Sequence, residues 1–180
     1  MRKKKNIFLT GAPSCGKTTV MKKVIEGLKY PAKGFYTQEE REGGRRVWFL
    51  MRTLEGKQGY LGHQDIKSDF HIRRYGVSCE NIDNVAVPAI EPQEGYVVIL
   101  DEIGKMECFS EKFQKTVLEV LDAPNIVIGT ITLGGTDFIL EVKKRGDLEI
   151  IEVREDNRDR LPSIILDKIA NFFILFKEAR

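Results

Sequence analysis

Little in this 180-residue chain invites a metal cage, a disulfide scaffold or a membrane span. The three cysteines, Cys15, Cys79 and Cys108, stand far apart with no paired spacing, which argues against both a zinc site and a disulfide framework. Only two histidines occur, His63 and His71, and each reads as a surface or packing residue. The most apolar stretch, IANFFILF at 169–176, is bounded by Asp167, Lys168, Lys177 and Glu178. It falls well short of the roughly twenty apolar residues that a span requires. At the start, Ile7-Phe8-Leu9 alone follow the basic run Arg2-Lys3-Lys4-Lys5, too few for a signal core. Charge of one sign is scarce too: 29 Lys and Arg against 27 Asp and Glu leave a net charge of +2, too small to imply a nucleic-acid partner. The basic run reads as a solvated flank. No repeat, linker or low-complexity tract interrupts the chain. The expectation is a reduced, cytoplasmic, soluble monomer, one domain over 1–180, with no membrane partner.

What the chain does have is alternation. Asn6 to Thr10 reads as a short buried strand, and Val20, Met21, Val24, Ile25 and Leu28 then recur on one face of a helix over about 17–29. Residues 33–78 differ. Phe35 to Arg41 and Arg45 to Thr53 are strand-like and joined by Glu42-Gly43-Gly44, a hairpin signal, with further short strands around 60–61 and 72–77. Strands are then expected at 96–100, 126–132 and 148–153. Helices are expected over about 110–121, with Ser110 as N-cap, near 137–144, and from about Pro162 onward. In the last helix Ile165, Ile169, Phe172, Phe173 and Phe176 form a stripe from which Ile174 and Leu175 stray, so burial on two sides is expected. Strands separated by single helices predict an α/β fold, a predominantly parallel sheet flanked by helices. The 33–78 segment would be an antiparallel insertion, read as edge strands extending the sheet in preference to a lid.

The loop after the first strand is GAPSCGKTT, residues 11–19, which fits G-x-x-x-x-G-K-[ST] with Gly11, Gly16, Lys17 and Thr18 in place. Glycines let the backbone curl so that successive N–H groups point inward, and the positive end of the next helix faces the same space. Ala12, Pro13, Ser14 and Cys15 would contribute backbone, and Thr19 would close the motif. Lys17 would span β- and γ-phosphates and the Thr18 hydroxyl would hold Mg²⁺. The plainer reading, a chance glycine turn, is disfavoured because the motif follows a strand and opens an amphipathic helix.

A second strand, VVIL, runs directly into Asp101 and Glu102, then Gly104 and Lys105. Two acids at a strand end can simply be solvated. Beside a phosphate loop, Asp101 can reach Mg²⁺ and Glu102 can orient a water for attack on the γ-phosphate. Side chains alternate along a strand, so the strand must end or bend between the two, and Gly104 helps that bend. Lys105 would touch phosphate or pair with Glu107. A kinase that transfers phosphate to a small acceptor must exclude water, which an acid poised to activate it opposes. A GTPase would need an N-K-x-D element, and none occurs. A nucleic-acid-stimulated ATPase, using the basic flank and Arg73-Arg74, lacks a dedicated motif.

GAPSCGKTT, GFYTQEER at 34–41, DEIGKME at 101–107 and the 155–162 segment Glu155-Asp156-Asn157-Arg158-Asp159-Arg160-Leu161-Pro162 occur in one order. Together they resemble the thermostable, or cancer-related, nucleoside-triphosphatase family of RecA-like P-loop proteins; Asp156 is an insertion relative to the family's pattern. The resemblance implies Mg²⁺-dependent hydrolysis of ATP, GTP and other nucleoside triphosphates, with broad base tolerance. It also implies nucleotide contacts at Gly11–Thr18 and around Asp101–Lys105. Arg145 and Arg158 are candidates for a charge-stabilising arginine, and the roles of Thr130 and Thr132 stay open.

Overall fold

A computed structural model describes residues 4–42 and 45–178. Its strands are β1 (Asn6–Thr10), β2 (Ala32–Glu42), β3 (Arg45–Thr53), β4 (Gln58–His63), β5 (His71–Ile72), β6 (Tyr75–Val77), β7 (Val97–Ile103), β8 (Ile126–Ile131) and β9 (Leu148–Glu152). Its helices are α1 (Lys17–Gly27), α2 (Cys79–Asn81), α3 (Val87–Ile90), α4 (Glu111–Asp122), α5 (Asp137–Lys143) and α6 (Leu161–Glu178).

All nine strands join one sheet in the order β5-β6-β4-β3-β2-β7-β8-β1-β9. β2, β7, β8, β1 and β9 run parallel, and β3, β4, β6 and β5 extend the sheet antiparallel. The 33–78 segment is therefore an in-plane extension, as expected, with one refinement. β2 belongs to both halves: residues 32–36 pair parallel with β7, while Phe35 onward pairs antiparallel with β3. Glu42 faces Arg45 at the end of that hairpin, and Gly43 and Gly44, expected to turn it, lie outside the described residues.

Buried strands with apolar residues on both faces need cover on both. On one face Ile7, Leu9, Ile99 and Ile128 pack with Val20 and Val24 of α1 and Ile165 and Ile169 of α6. On the other, Phe8, Leu100, Val127 and Ile131 pack with Phe113 and Val117 of α4 and Ile139 and Val142 of α5. The expectation that α6 is buried on two sides is corrected at its C-terminal end. Ile174 and Leu175 are 53% and 44% exposed, because the sheet offers no second wall there. The side chain of Phe176, expected to close the stripe, lies outside the described residues.

The sequence reading assigned no element to the helical run at 79–90. A π turn at Ile82–Ala86 links α2 to α3, and Ile82, Val85, Ala86, Val87 and Ile90 bury one face against the sheet. Pro88 hid it. A proline has no N–H to give the carbonyl four residues back, and a bulky ring crowds that turn. Here the turn is widened instead, and Lys57 Nζ takes up the Asn84 carbonyl at 2.6 Å. The run is tied to α4 through one residue. Ser110 Oγ accepts from Phe113 N–H at 3.0 Å, as an N-cap, and donates to Asp83 Oδ1. Replacing Ser110 by Ala removes both bonds, and we expect it to cost about 2 kcal/mol, twice an ordinary cap. Urea unfolding of the Ser110→Ala and Asp83→Asn variants checks this; equal stability of Ser110→Ala and wild type would refute it.

Candidate functional site

The five parallel strands deliver their C-terminal ends to one edge of the molecule, where open α/β sheets bind ligands. β1 leads into the loop 11–16, whose backbone curls as the motif demands. Gly16 takes φ 108° and ψ 11° directly before α1, and Ser14 takes φ 64°, so the curl uses left-handed positions. Cys15 N–H donates to Ala12 O at 3.3 Å within it. Ala12, Pro13 and Ser14 are exposed on the rim and Gly11 is buried beneath. A Cβ at Gly11 would lie 2.9 Å from both Cys15 Sγ and the Val153 carbonyl, so the loop sits directly on the chain leaving β9. Cys15 thus gives the curl its sulfur as filling as well as its backbone. Thr18 and Thr19 are exposed in the first turn of α1. Lys17 reaches back over the loop, donating to Gly11 O at 2.9 Å and Ala12 O at 3.1 Å.

Asp101 and Glu102 stand two strands away from β1, at the end of β7, with β8 between. The expected bend is present in another form: β7 continues through both acids to Ile103, and its register with β8 breaks between Leu100 and Ile103. One extra residue there is a bulge, a device that re-aims side chains. Asp101 is 5% exposed and accepts from Thr130 Oγ1 of β8 at 2.5 Å, while its carbonyl accepts from Thr37 Oγ1 of β2 at 3.0 Å. Burial pushes its pKa up to about 6, against the pull of the Thr130 hydroxyl, Lys17 and Lys22. Glu102 is less buried; burial first and Asp101 second raise its proton affinity, and Lys17 opposes both. The lysine of the loop and the two acids of β7 therefore share one electrostatic neighbourhood.

Gly104 is buried in the turn after β7 and Lys105 is exposed. The anticipated Lys105–Glu107 ion pair is not made. Glu107 turns inward and is 4% exposed, and its pKa is pushed up to about 8, by burial first and then by Glu102, with backbone N–H groups of Glu107 and Gly104 opposing. Cys108 beside it is pushed up to about 12 by burial and by Glu107 and Glu102.

Of the two candidate arginines, Arg145 is at the wrong end of the sheet. It is bonded to Asp122 at 2.7 Å and to Asp147 at 2.8 and 2.9 Å, ahead of the start of β9. Arg158 lies against the phosphate loop: a Cβ at Gly16 would meet its Cδ at 3.2 Å. A cavity of about 290 Å³ opens there, lined by Gly16, Thr19, Val20, Lys23, Arg158 and Asp159. Thr37, Lys23 and this cavity escaped the sequence reading. Only the parallel register of Tyr36 against Asp101 places Thr37 beside the acids, and no local pattern announces that register.

Comparison with known proteins points one way. A family model described as NTPase matches residues 6–166. The chain is 40% identical over 162 residues to the nucleoside-triphosphatase THEP1 of Thermotoga maritima, covering 89% of this chain and 92% of that protein. It is 36% identical to the human cancer-related nucleoside-triphosphatase, covering 89% and 95%. The crystal structure of THEP1 from Aquifex aeolicus superposes with a TM-score of 0.81 at 33% identity, covering 90% and 97%.

The raised proton affinity of Glu107 has a stability consequence. The native state keeps a proton that the unfolded chain loses near 4.5, so the contribution is full below that pH and is lost as pH rises through about 8. The melting temperature of wild type minus that of Glu107→Gln should fall between these limits and then level off. A flat difference would refute it.

Proposed function

This chain belongs to the NTPase family, and on that premise we propose that it hydrolyses nucleoside triphosphates to diphosphate and phosphate, with Mg²⁺ and without demanding one base. The observation that carries the reading is the convergence of Lys17 with Asp101 and Glu102, whose ionisation it favours, at the carboxyl end of the sheet. Backbone N–H groups of the 11–16 loop and the start of α1 receive the phosphates, and Lys17 exchanges its loop carbonyls for β- and γ-phosphate oxygens. Of the other residues assigned to the nucleotide, Thr19 lines the cavity beside Arg158, Lys105 is exposed after β7 and Gly104 is buried in the turn between them.

The donor set suits magnesium. One carboxylate on Asp101 and one hydroxyl on Thr18 leave the remaining positions to water and phosphate, as a small hard cation prefers. Among the described residues no group of three or more His, Cys, Asp or Glu side chains could form a closed cage. When bound, the ion neutralises charge on the β- and γ-phosphate oxygens. Thr130 holds Asp101 in one orientation. Glu102, drawn between a proton and Lys17, orients the attacking water and accepts its hydrogen bond.

The sugar and base extend into the cavity between α1 and Arg158. Its lining offers two cations, one acid and short side chains, which suits a base-tolerant site. The lysine, the hydroxyl and both acids come from one chain, so we take the monomer as the active unit. No described helix is long and apolar enough to cross a membrane.

Phosphate release from ATP, GTP, CTP and UTP, measured with Mg²⁺ for wild type and Glu102→Gln, tests the reading. All four are expected to be hydrolysed, and the variant should lose about a hundredfold or more in kcat while nucleotide affinity stays within a few-fold. Absence of release above the enzyme-free control would sink the hydrolase reading and favour transfer to another acceptor.

A further inference from the structure

Three carboxyls gather at the end of β7, and the reaction as described uses two. The third, Glu107, is buried without a cation: Lys105, two residues earlier, is exposed. A buried carboxyl in that state is costly unless hydrogen-bonded, and its bonds here are short-range ones. In the turn that follows Ile103 its Oε2 lies against Gly104, 2.6 Å from where a Cβ on that glycine would stand, and the backbone groups of Glu107 and Gly104 oppose the rise in its proton affinity. The turn is reinforced by Cys108 N–H on Gly104 O at 3.2 Å and Ser110 N–H on Glu107 O at 3.1 Å. On its other side, Thr132 N–H donates to Ile103 O at 3.3 Å, fixing the end of β7 to β8.

Gly104 locates Glu107 relative to Glu102. A Cβ placed on this glycine would stand 2.6 Å from Glu107 Oε2 and 3.6 Å from both Cγ and Cδ of Glu102. The two glutamates therefore flank one glycine, with no side chain between them, and Glu107 stands on the buried side. A side chain at residue 104 would drive them apart.

We propose that Glu107 is a positioning residue for hydrolysis: by clamping the 103–107 turn and closing the interior side of Gly104, it leaves the Glu102 carboxyl one direction in which to point, toward Lys17 and the phosphate loop. The proposal rests on the hydrolase reading and goes one residue beyond it. In this proposal Glu107 acts through Glu102, across Gly104. At neutral pH a glutamine resembles the neutral acid in shape and keeps an oxygen where Glu107 Oε2 lies against Gly104. Alanine removes the clamp, and aspartate keeps an acid but shortens its reach.

Steady-state phosphate release, nucleotide binding and melting temperature at pH 7, for wild type, Glu107→Gln, Glu107→Ala and Glu107→Asp, form the test. The alanine and aspartate variants are expected to lose about ten- to a hundredfold in kcat while nucleotide Kd stays within about threefold, the signature of a misplaced catalytic group. Glutamine is expected to restore kcat to within about threefold of wild type. A folded alanine variant turning over at the wild-type rate would overturn the proposal, as would a glutamine variant as slow as alanine. If alanine does not fold, aspartate decides: a wild-type kcat there overturns it. An inactive wild type would overturn the hydrolase reading and this proposal together, whereas an active wild type with unaffected variants sinks this one alone.

Discussion

The pairing of β8 with β1 on one side and β7 on the other sets the scale of the site. Adjacent strands lie about 4.8 Å apart, so one intervening strand separates the phosphate loop from the two acids by roughly 10 Å. β8 is the floor between those two walls. Gly129 keeps the floor tight: a Cβ there would come within 2.2 Å of Leu100 O and 2.8 Å of Phe8 Cε1, so both neighbouring strands close on its backbone. The next residue, Thr130, can then reach sideways to Asp101. Had β7 lain directly beside β1, neither that hydroxyl nor the space between loop and acids would exist.

Electrostatics at the site are strained toward proton uptake. Asp101, Glu102 and Glu107 all hold protons more tightly than free carboxyls, with burial the largest cause for each. Lys17 opposes the shift at Asp101 and Glu102. A triphosphate adds further negative charge to this end of the sheet. Cationic compensation is therefore a physical need of the bound state, and Lys17 is one cation already close to both acids. Glu102 has its proton affinity lifted by burial and by Asp101, and Lys17 holds that lift in check.

The sheet and the chemistry of its edge were legible because their signals are local. The phosphate loop is a contiguous motif, the acids follow an apolar run, α1 repeats with helical period and α4 opens on a capping serine. What stayed hidden depends on distant partners. The 79–90 run, with Pro88 inside it, was assigned no element, and Lys57, thirty-one positions before that proline, donates to the Asn84 carbonyl. Lys105 and Glu107 look like a pair along the chain, yet the turn at Gly104 sends one outward and the other in. Arg145 looked available until Asp122 and Asp147 engaged it. β2 read as one arm of a hairpin, and nothing in its own residues reveals the second, parallel partner.

Sheets with free margins can grow by adding strands from another molecule, and this one has two such margins. One is worn down to β5, only two residues long. The other, β9, carries Glu149 and Glu152, and Glu149 is held by Lys168 of α6 at 2.9 Å. Short edges and charged edges both discourage strand addition. A nine-stranded sheet so bounded can stay dispersed at concentrations where an open parallel sheet would assemble edge to edge. Its extension can lengthen the molecule without offering the next copy a template.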